Sequence, residues 1–181
     1  MASIVQLLDA SVWAIDAGIE GLAQCEVYAG QFRAGETDKA RVTAPAVFVA
    51  CLGAPIDKDP GTEQVALNCR MAAVVIARNA RGRGPRSEDA VCLAEAVALL
   101  VQYNQFALAD VGAARVTRLT NDYNRAFDDR GFASWTVEWN QMVLLGDSIW
   151  NGAEFLPTDV WLGLAPDIGL GHENDYWKIA P

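Results

Sequence analysis

The sequence predicts an α+β fold, in which a mixed or antiparallel sheet of about five strands carries two helices packed on one face. The first observation is a stripe of apolar residues at helical spacing near the N-terminus. The second is a series of segments with strand-like alternation, and the third is a second, almost wholly apolar helix at Ala90–Val101. After residue 146 these patterns stop, so an irregular C-terminal arm is expected to follow the domain.

The first predicted element is a helix over Ser3–Leu22. Ser3 followed by Gln6 fits a capping box, and two glycines weaken the last turns, so the helix is expected to end near Ala23. The apolar stripe consists of Ile4, Leu7, Leu8, Val12, Ile15, Ile19 and Leu22.

Three strands are predicted after this helix. Gln24–Gly30 is a short strand, and an exposed polar loop, Gln31–Thr43, follows it. Ala44–Leu52 is apolar on both faces, which is typical of a central strand. Beyond a turn at Asp59–Gly61, the long strand in Glu63–Arg78 alternates and then becomes apolar on both faces as it enters a buried region.

A basic loop, Arg78–Arg86, separates this strand from the second helix. It contains glycines and a proline, which the interior of a strand or helix tolerates poorly. Ser87 is predicted to cap the helix, and from Ala90 to Val101 its only polar side chain is Glu95. A helix this apolar is expected to be covered by the sheet on one side and by another subunit on the other.

An antiparallel hairpin is predicted to complete the sheet. Ala113–Asn124 alternates weakly, a turn is expected at Asp128–Gly131, and Phe132–Leu144 alternates clearly. The predicted domain therefore covers residues 1–146. Residues 147–181 form the arm, where six acidic residues accompany one lysine and several tryptophans, and it is expected to dock on its own domain or on a neighbour's.

Composition excludes several classes of function. The net charge of −9 opposes nucleic-acid binding over the general surface. The four cysteines have no zinc-site spacing and are interpreted as reduced core thiols, which indicates a reducing compartment. Because the sequence has neither a basic leader nor an apolar run long enough to cross a bilayer, a soluble protein made in the cytoplasm is expected, with no membrane partner.

The candidate binding residues are four arginines near the start of the second helix. Arginine forks match phosphate oxygens, so a phosphate or DNA contact is one interpretation. The other is a solvated turn, or a turn that pairs with the acidic arm, because the spacing does not fit a phosphate-binding loop. The four residues are Arg78, Arg81, Arg83 and Arg86.

No catalytic set, metal site or cofactor is predicted. His172 is the single histidine, so a metal-binding histidine pair is absent and any triad would depend on this residue alone. Tryptophans are instead interpreted as core or interface residues. The candidate interface residues are Trp135, Trp139, Trp150, Trp161 and Trp177.

A family resemblance covers about residues 1–146. The order and spacing of AVFVACL, QVALNCRMAAVVIAR, DAVCLAEAVALLV and FASWTVEWNQMVLLG resemble the Mu-like phage and prophage family of small tail-assembly proteins. That family is similar to the tail terminators of long-tailed phages. The resemblance implies a virion protein that closes into a hexameric ring on the tail tube, ends tube growth and offers a surface to the head–tail connector. It implies no catalytic residues, and it does not extend to the arm.

The acidic balance would suit a ring lumen through which DNA passes without specific binding. Two alternatives stay open at this point. One is a neck, head-completion or other minor tail protein. The other is a small-molecule-binding domain with a pocket lined by Trp135, Trp139 and the apolar helix, although few convergent polar groups support it.

Overall fold

The computed structural model describes residues 2–28, 42–78, 83–123, 125–149 and 159–179. The chain divides into two compact units, Met1–Asp147 and Ser148–Pro181. The first unit is an α+β domain with a five-stranded mixed sheet, and the predicted fold class is confirmed. Most of the predicted polar loop, residues 31–41, lies outside the described residues.

Helix α1 spans Ile4–Gly18, and its N-terminus matches the predicted cap. The Ser3 side chain accepts a hydrogen bond from the Gln6 backbone N–H at 3.1 Å. The helix ends about one turn earlier than expected. Its last residue lies against α2, the helix at Arg83–Val101, where a Cβ on Gly18 would lie 2.3 Å from Leu100 Cδ1.

The sheet has the strand order β1-β2-β3-β5-β4. Strands β1 and β2 are parallel, and the other neighbours are antiparallel. The long strands β3 and β5 form the centre, where Val65 pairs with Leu145 and Arg78 with Phe132. The strands are β1 (Gln24–Val27), β2 (Ala46–Gly53), β3 (Val65–Arg78), β4 (Arg115–Asn121) and β5 (Phe132–Leu145).

Helix α2 begins earlier than the sequence predicted. Its first residue is Arg83, so Gly84 and Pro85 lie in the first helical turn and not in a loop. Proline is acceptable there because the N–H groups of the first turn have no partner within the helix. Ser87 is therefore inside the helix, and its predicted role as the cap is wrong.

The main core lies between the two long helices and one face of the sheet. Buried helix residues such as Ile15 and Val97 pack against alternate strand residues such as Met71, Val75 and Val137. Alternate residues of a strand point to opposite faces, so both helices cover the same face. This agrees with the predicted arrangement of helices on one side of the sheet.

The opposite face of the sheet is formed by the other alternate residues of each strand, and it is partly buried. At one end it carries a small apolar cluster around Phe48 and Ile76. Arg70 and Arg78 of β3 and Met142 of β5 are exposed on it. Neither α1 nor α2 contributes a residue to the apolar cluster on this face.

The predicted turn between the last two strands contains a short helix, α3, at Arg125–Asp129. Gly131 follows it with φ +80°, a conformation that favours glycine. The prediction of an Asp128–Gly131 turn is confirmed, since the Gly131 N–H donates to the Asp128 carbonyl oxygen at 3.0 Å, and this turn ends the helix.

The C-terminal unit contains a small antiparallel ribbon, β6 (Val160–Leu162) paired with β7 (Trp177–Ile179). A 3₁₀ turn at Glu173–Asp175 precedes β7. The sequence did not predict the ribbon, because three residues are too few to establish an alternation.

Candidate interaction surfaces

The structure places Arg78 and Arg86, two of the four arginines of the predicted basic loop, in different environments. Arg78 is exposed at the end of β3, with its guanidinium 5.7 Å from the centre of the Phe132 ring. Arg81 lies outside the described residues, and of Arg83, the first residue of α2, only the backbone is described. Arg86 points inward, so the interpretation of these residues as one exposed basic loop is wrong for Arg86.

Arg86 forms a buried ion pair with α3. Its Nη2 donates to Asp128 Oδ1 at 2.5 Å, and both side chains are largely removed from solvent. Because the guanidinium is charged at any ordinary pH, a carboxylate partner is what permits its burial. The pair therefore connects the start of α2 to α3, and it does not offer Arg86 to a phosphate.

A cleft of about 120 Å³ lies beside this ion pair, and Asp122, Ser134 and Trp135 are among its lining residues. Burial raises the pKa of Asp122, while the hydrogen bond from the Thr136 hydroxyl lowers it. Pockets for drug-sized molecules are usually about 300–1,000 Å³, so this cleft has room for a few water molecules only. It does not support the small-molecule alternative.

The candidate tryptophans fall into three environments. Trp139 is fully buried, and its Nε1–H donates to Gln141 Oε1 at 3.2 Å. A ring enclosed in its own domain has no surface to offer another subunit, so the interface assignment is wrong for Trp139. Trp135 is half-buried against the core, and Trp150 lies outside the described residues. Trp161 and Trp177 are exposed.

Trp13 is an exposed residue that the sequence analysis missed. It lies on the outer side of α1 with 74% of its surface accessible. Its position was visible in the sequence, since it is off the apolar stripe and falls on the same side as Asp9 and Asp16. A tryptophan on the polar side of an amphipathic helix was the sequence signal that could have predicted this exposed residue.

Helix α2 has one side packed on the sheet and one side accessible within the single chain. Leu99 is 80% exposed, and Cys92 is also exposed on this outer side. The prediction that all four cysteines are core residues is therefore wrong for Cys92. Together with Trp13, these side chains define the outer helix surface (Trp13, Cys92 and Leu99).

The C-terminal ribbon has two different faces. Residues directly opposite each other in an antiparallel pair share a face. Trp161 and Lys178 therefore lie on one face, and an ion pair joins Lys178 to Asp159. The other face, called here the ribbon face, is wholly apolar and exposed. It consists of Val160, Leu162, Trp177 and Ile179.

An open cavity of about 410 Å³ in the C-terminal unit is lined by Trp161, Gly169, Glu173 and Tyr176. The Gly169 N–H donates to the Tyr176 hydroxyl at 2.9 Å, and the Gly171 N–H donates to the Glu173 carboxylate at 3.1 Å. Backbone hydrogen bonds, including this one, lower the pKa of Glu173. The backbone N–H groups of Gly169 and Gly171 therefore hold the loop before β7 in place.

Neither a metal-binding group nor a membrane-spanning helix is found in the part of the chain that the structure describes. No group of three or more histidine, cysteine, aspartate or glutamate residues could hold a metal ion there. His172 Nδ1 lies 3.0 Å from Asp175 Oδ2 in an exposed pair. Among the described helices, none combines the length and the apolar character needed to span a bilayer.

No protein-family model matches this chain, and a search of the curated proteins finds no match.

Proposed function

We propose that this protein is a phage tail terminator, a virion protein that assembles into a hexameric ring on the end of the tail tube. In this role it stops tube growth and presents a surface to the head–tail connector. The observation that carries the proposal is the outer helix surface, where Trp13 and Leu99 are both mostly exposed in the single chain.

Large apolar side chains on an otherwise charged helix surface are typical of a protein–protein contact. Trp13 has acidic neighbours on α1, and Glu95 accompanies Leu99 on α2, so each of the two apolar side chains has charged residues beside it. In a ring, each subunit meets its neighbour through two different surfaces. The outer helix surface supplies one of them.

The resemblance of residues 1–146 to small tail-assembly proteins supports the same role, as does the confirmed α+β fold with both long helices on one face. The net charge of −9 is compatible with a lumen that DNA passes through without being held. Localisation in the virion tail, after assembly in the host cytoplasm, follows from this role.

The test is to incubate the full-length protein with tail tubes of the phage or prophage that encodes it. Light scattering gives its mass, and negative-stain microscopy shows the tube ends. We expect six-fold rings that cap the tubes. Trp13→Asp and Leu99→Asp should abolish the rings, because each places a charge in a desolvated contact.

Ile56→Asp is the matched control, since Ile56 is similarly exposed but lies in the connection between β2 and β3. This variant should cap tubes like the wild type. A wild-type monomer that ignores tube ends would overturn the proposal, and association with empty heads in place of tubes would favour a neck or head-completion role. Rings that survive both helix substitutions would remove the outer helix surface from the contact.

A further inference from the structure

The open cavity of the C-terminal unit has the size of a ligand-binding pocket. Its volume is about 410 Å³, and such pockets usually measure about 300–1,000 Å³. Two aromatic side chains, Trp161 and Tyr176, line it together with Gly169 and the carboxylate of Glu173. No basic side chain is among the lining residues that the structure describes. The cavity therefore combines two aromatic rings with a single negative charge.

The position of the Tyr176 ring is fixed by its own unit. The ring lies against Gly163, where an added Cβ would be 2.7 Å from Tyr176 Cε1. The Tyr176 hydroxyl accepts a hydrogen bond from the Gly169 N–H at 2.9 Å. Trp161 belongs to β6 and lies on the side of the ribbon opposite the ribbon face. Since the tyrosine is already held, a ligand would lose little affinity to ordering it.

The carboxylate of Glu173 is also held in place, and it is charged at neutral pH. The Gly171 N–H lies 3.1 Å from both Oε1 and Oε2. Hydrogen bonds from the backbone N–H groups of Glu173 itself and of Gly171 lower the pKa of this carboxyl. Lys178, which lies opposite Trp161 on the same face, is paired with Asp159. The charge of this lysine is thus offset by an acidic residue other than Glu173.

Aromatic rings beside a carboxylate favour a cation, because the face of a ring carries partial negative charge. The type of cation follows from the hydrogen-bond acceptors. A primary ammonium or a guanidinium brings several N–H donors, and each needs an acceptor when it leaves water. Among the lining side chains, the Glu173 carboxylate and the Tyr176 hydroxyl already accept from backbone N–H groups. A quaternary ammonium group has no N–H and makes no such demand.

We propose that this cavity binds a small quaternary ammonium compound of the choline type. Its methyl groups contact the rings of Trp161 and Tyr176, and its charge lies near the Glu173 carboxylate. The site is contained in the C-terminal unit and does not rest on the proposed ring.

The experiment titrates the full-length protein with choline chloride and measures affinity by calorimetry. We expect saturable binding with a dissociation constant on the order of 1 mM. The comparison ligand is the neutral alcohol in which a carbon atom replaces the choline nitrogen. It has the same shape without the charge and should bind at least about ten-fold more weakly. Sodium chloride at matched concentrations controls for ionic strength.

Two pairs of variants locate the site. Trp161→Ala should weaken choline binding by about ten-fold, because it removes one of the two rings. Its matched control is Trp177→Ala, a tryptophan of similar exposure on the opposite face of the ribbon (59% against 55%), which should bind choline like the wild type.

Glu173→Gln removes the charge, while its amide oxygen can still accept from the Gly171 N–H. It should weaken binding by about five-fold, as expected for the loss of one attraction between unit charges roughly 4 Å apart in water. The matched control is Asp167→Asn, which changes the net charge equally at an exposed position outside the cavity lining. This variant should bind choline like the wild type.

Absence of saturable choline binding would overturn the proposal, as would equal affinity for choline and the neutral alcohol. That comparison uses only the wild-type protein, so it stands even where a variant does not fold. Equal weakening in Trp161→Ala and Trp177→Ala, or unchanged affinity in Glu173→Gln, would also overturn it. Capping of tail tubes is scored separately, so a failure of choline binding leaves the terminator role intact.

Discussion

Trp139 and Trp13 occupy opposite environments within one domain. Trp139 is enclosed at the centre of β5, whereas Trp13 projects from the outer side of α1. Aromatic side chains contribute large apolar areas to cores and interfaces alike, so residue type alone does not separate the two roles. The neighbouring residues distinguish the two roles. Trp139 alternates with polar residues along a strand, and Trp13 shares its helix face with aspartates.

Trp139→Ala should lower the free energy of unfolding by about 3–5 kcal/mol, because it leaves a cavity in the core and removes the N–H donor to Gln141 Oε1. Trp13→Ala should change it by less than about 0.5 kcal/mol. Urea denaturation measures the free energy of unfolding of the two variants and of the wild type. Equal losses would mean that Trp13 is packed against its own chain.

Asp122 gives the fold a specific pH dependence. Burial raises the pKa of this carboxyl above its unfolded value, with further effects from Thr136, Glu138 and Arg118. The folded protein then holds the proton more tightly, so this group stabilises the fold at low pH and the contribution is lost as the pH rises through the raised pKa.

Asp122→Asn removes this titration and keeps an acceptor for the Thr136 hydroxyl. The unfolding free energy of the variant, minus that of the wild type, should therefore increase between about pH 3 and about pH 7. Denaturant titrations across that range provide the measurement. A difference that is constant or decreases would contradict the raised pKa.

At the scale of elements, the start of α2 depends on a contact that the sequence does not reveal. Arg86 and Asp128 are far apart in the chain and meet only because β4 and β5 bring α3 beside α2. Local signals favoured Ser87 as the cap, and they gave no reason to bury an arginine. Tertiary contact thus overrides the local capping preference here.

Arg86→Met should lower the free energy of unfolding by about 3–5 kcal/mol, since it breaks the buried ion pair with Asp128. The control is Arg118→Met, which breaks the more exposed Arg118–Glu138 pair and should cost less than about 1 kcal/mol. Thermal and urea unfolding compare the two. Similar small losses in both variants would show that solvent reaches the Arg86 site.

The connection between α2 and β4 was also beyond prediction. Four of its non-glycine residues, Tyr103, Phe106, Ala107 and Asp110, have positive φ angles. The buried Gln141 side chain helps to hold this connection by donating from Nε2 to the carbonyl oxygens of Asn104 and Gly112. No local sequence pattern predicts these positive φ angles, because this backbone conformation depends on the Gln141 side chain of β5.

At the scale of the whole molecule, the fold class and the approximate positions of all five sheet strands followed from apolar periodicity. Periodicity reports which face of an element is buried, and that was sufficient to place both helices on one side. It does not report which strands become neighbours, nor which exposed side chains lie together. The ribbon face and the exposure of Leu99 therefore emerged only from the three-dimensional arrangement.

The pairing of β3 with β5 has a consequence for how the protein is made. These two central strands are separated in the chain by α2, β4 and α3, so the middle of the sheet forms only after a long loop has closed. Such non-local pairing slows folding relative to a helical protein of similar size. During synthesis, a nascent chain that has not reached Phe132 exposes one edge of its most apolar long strand to aggregation.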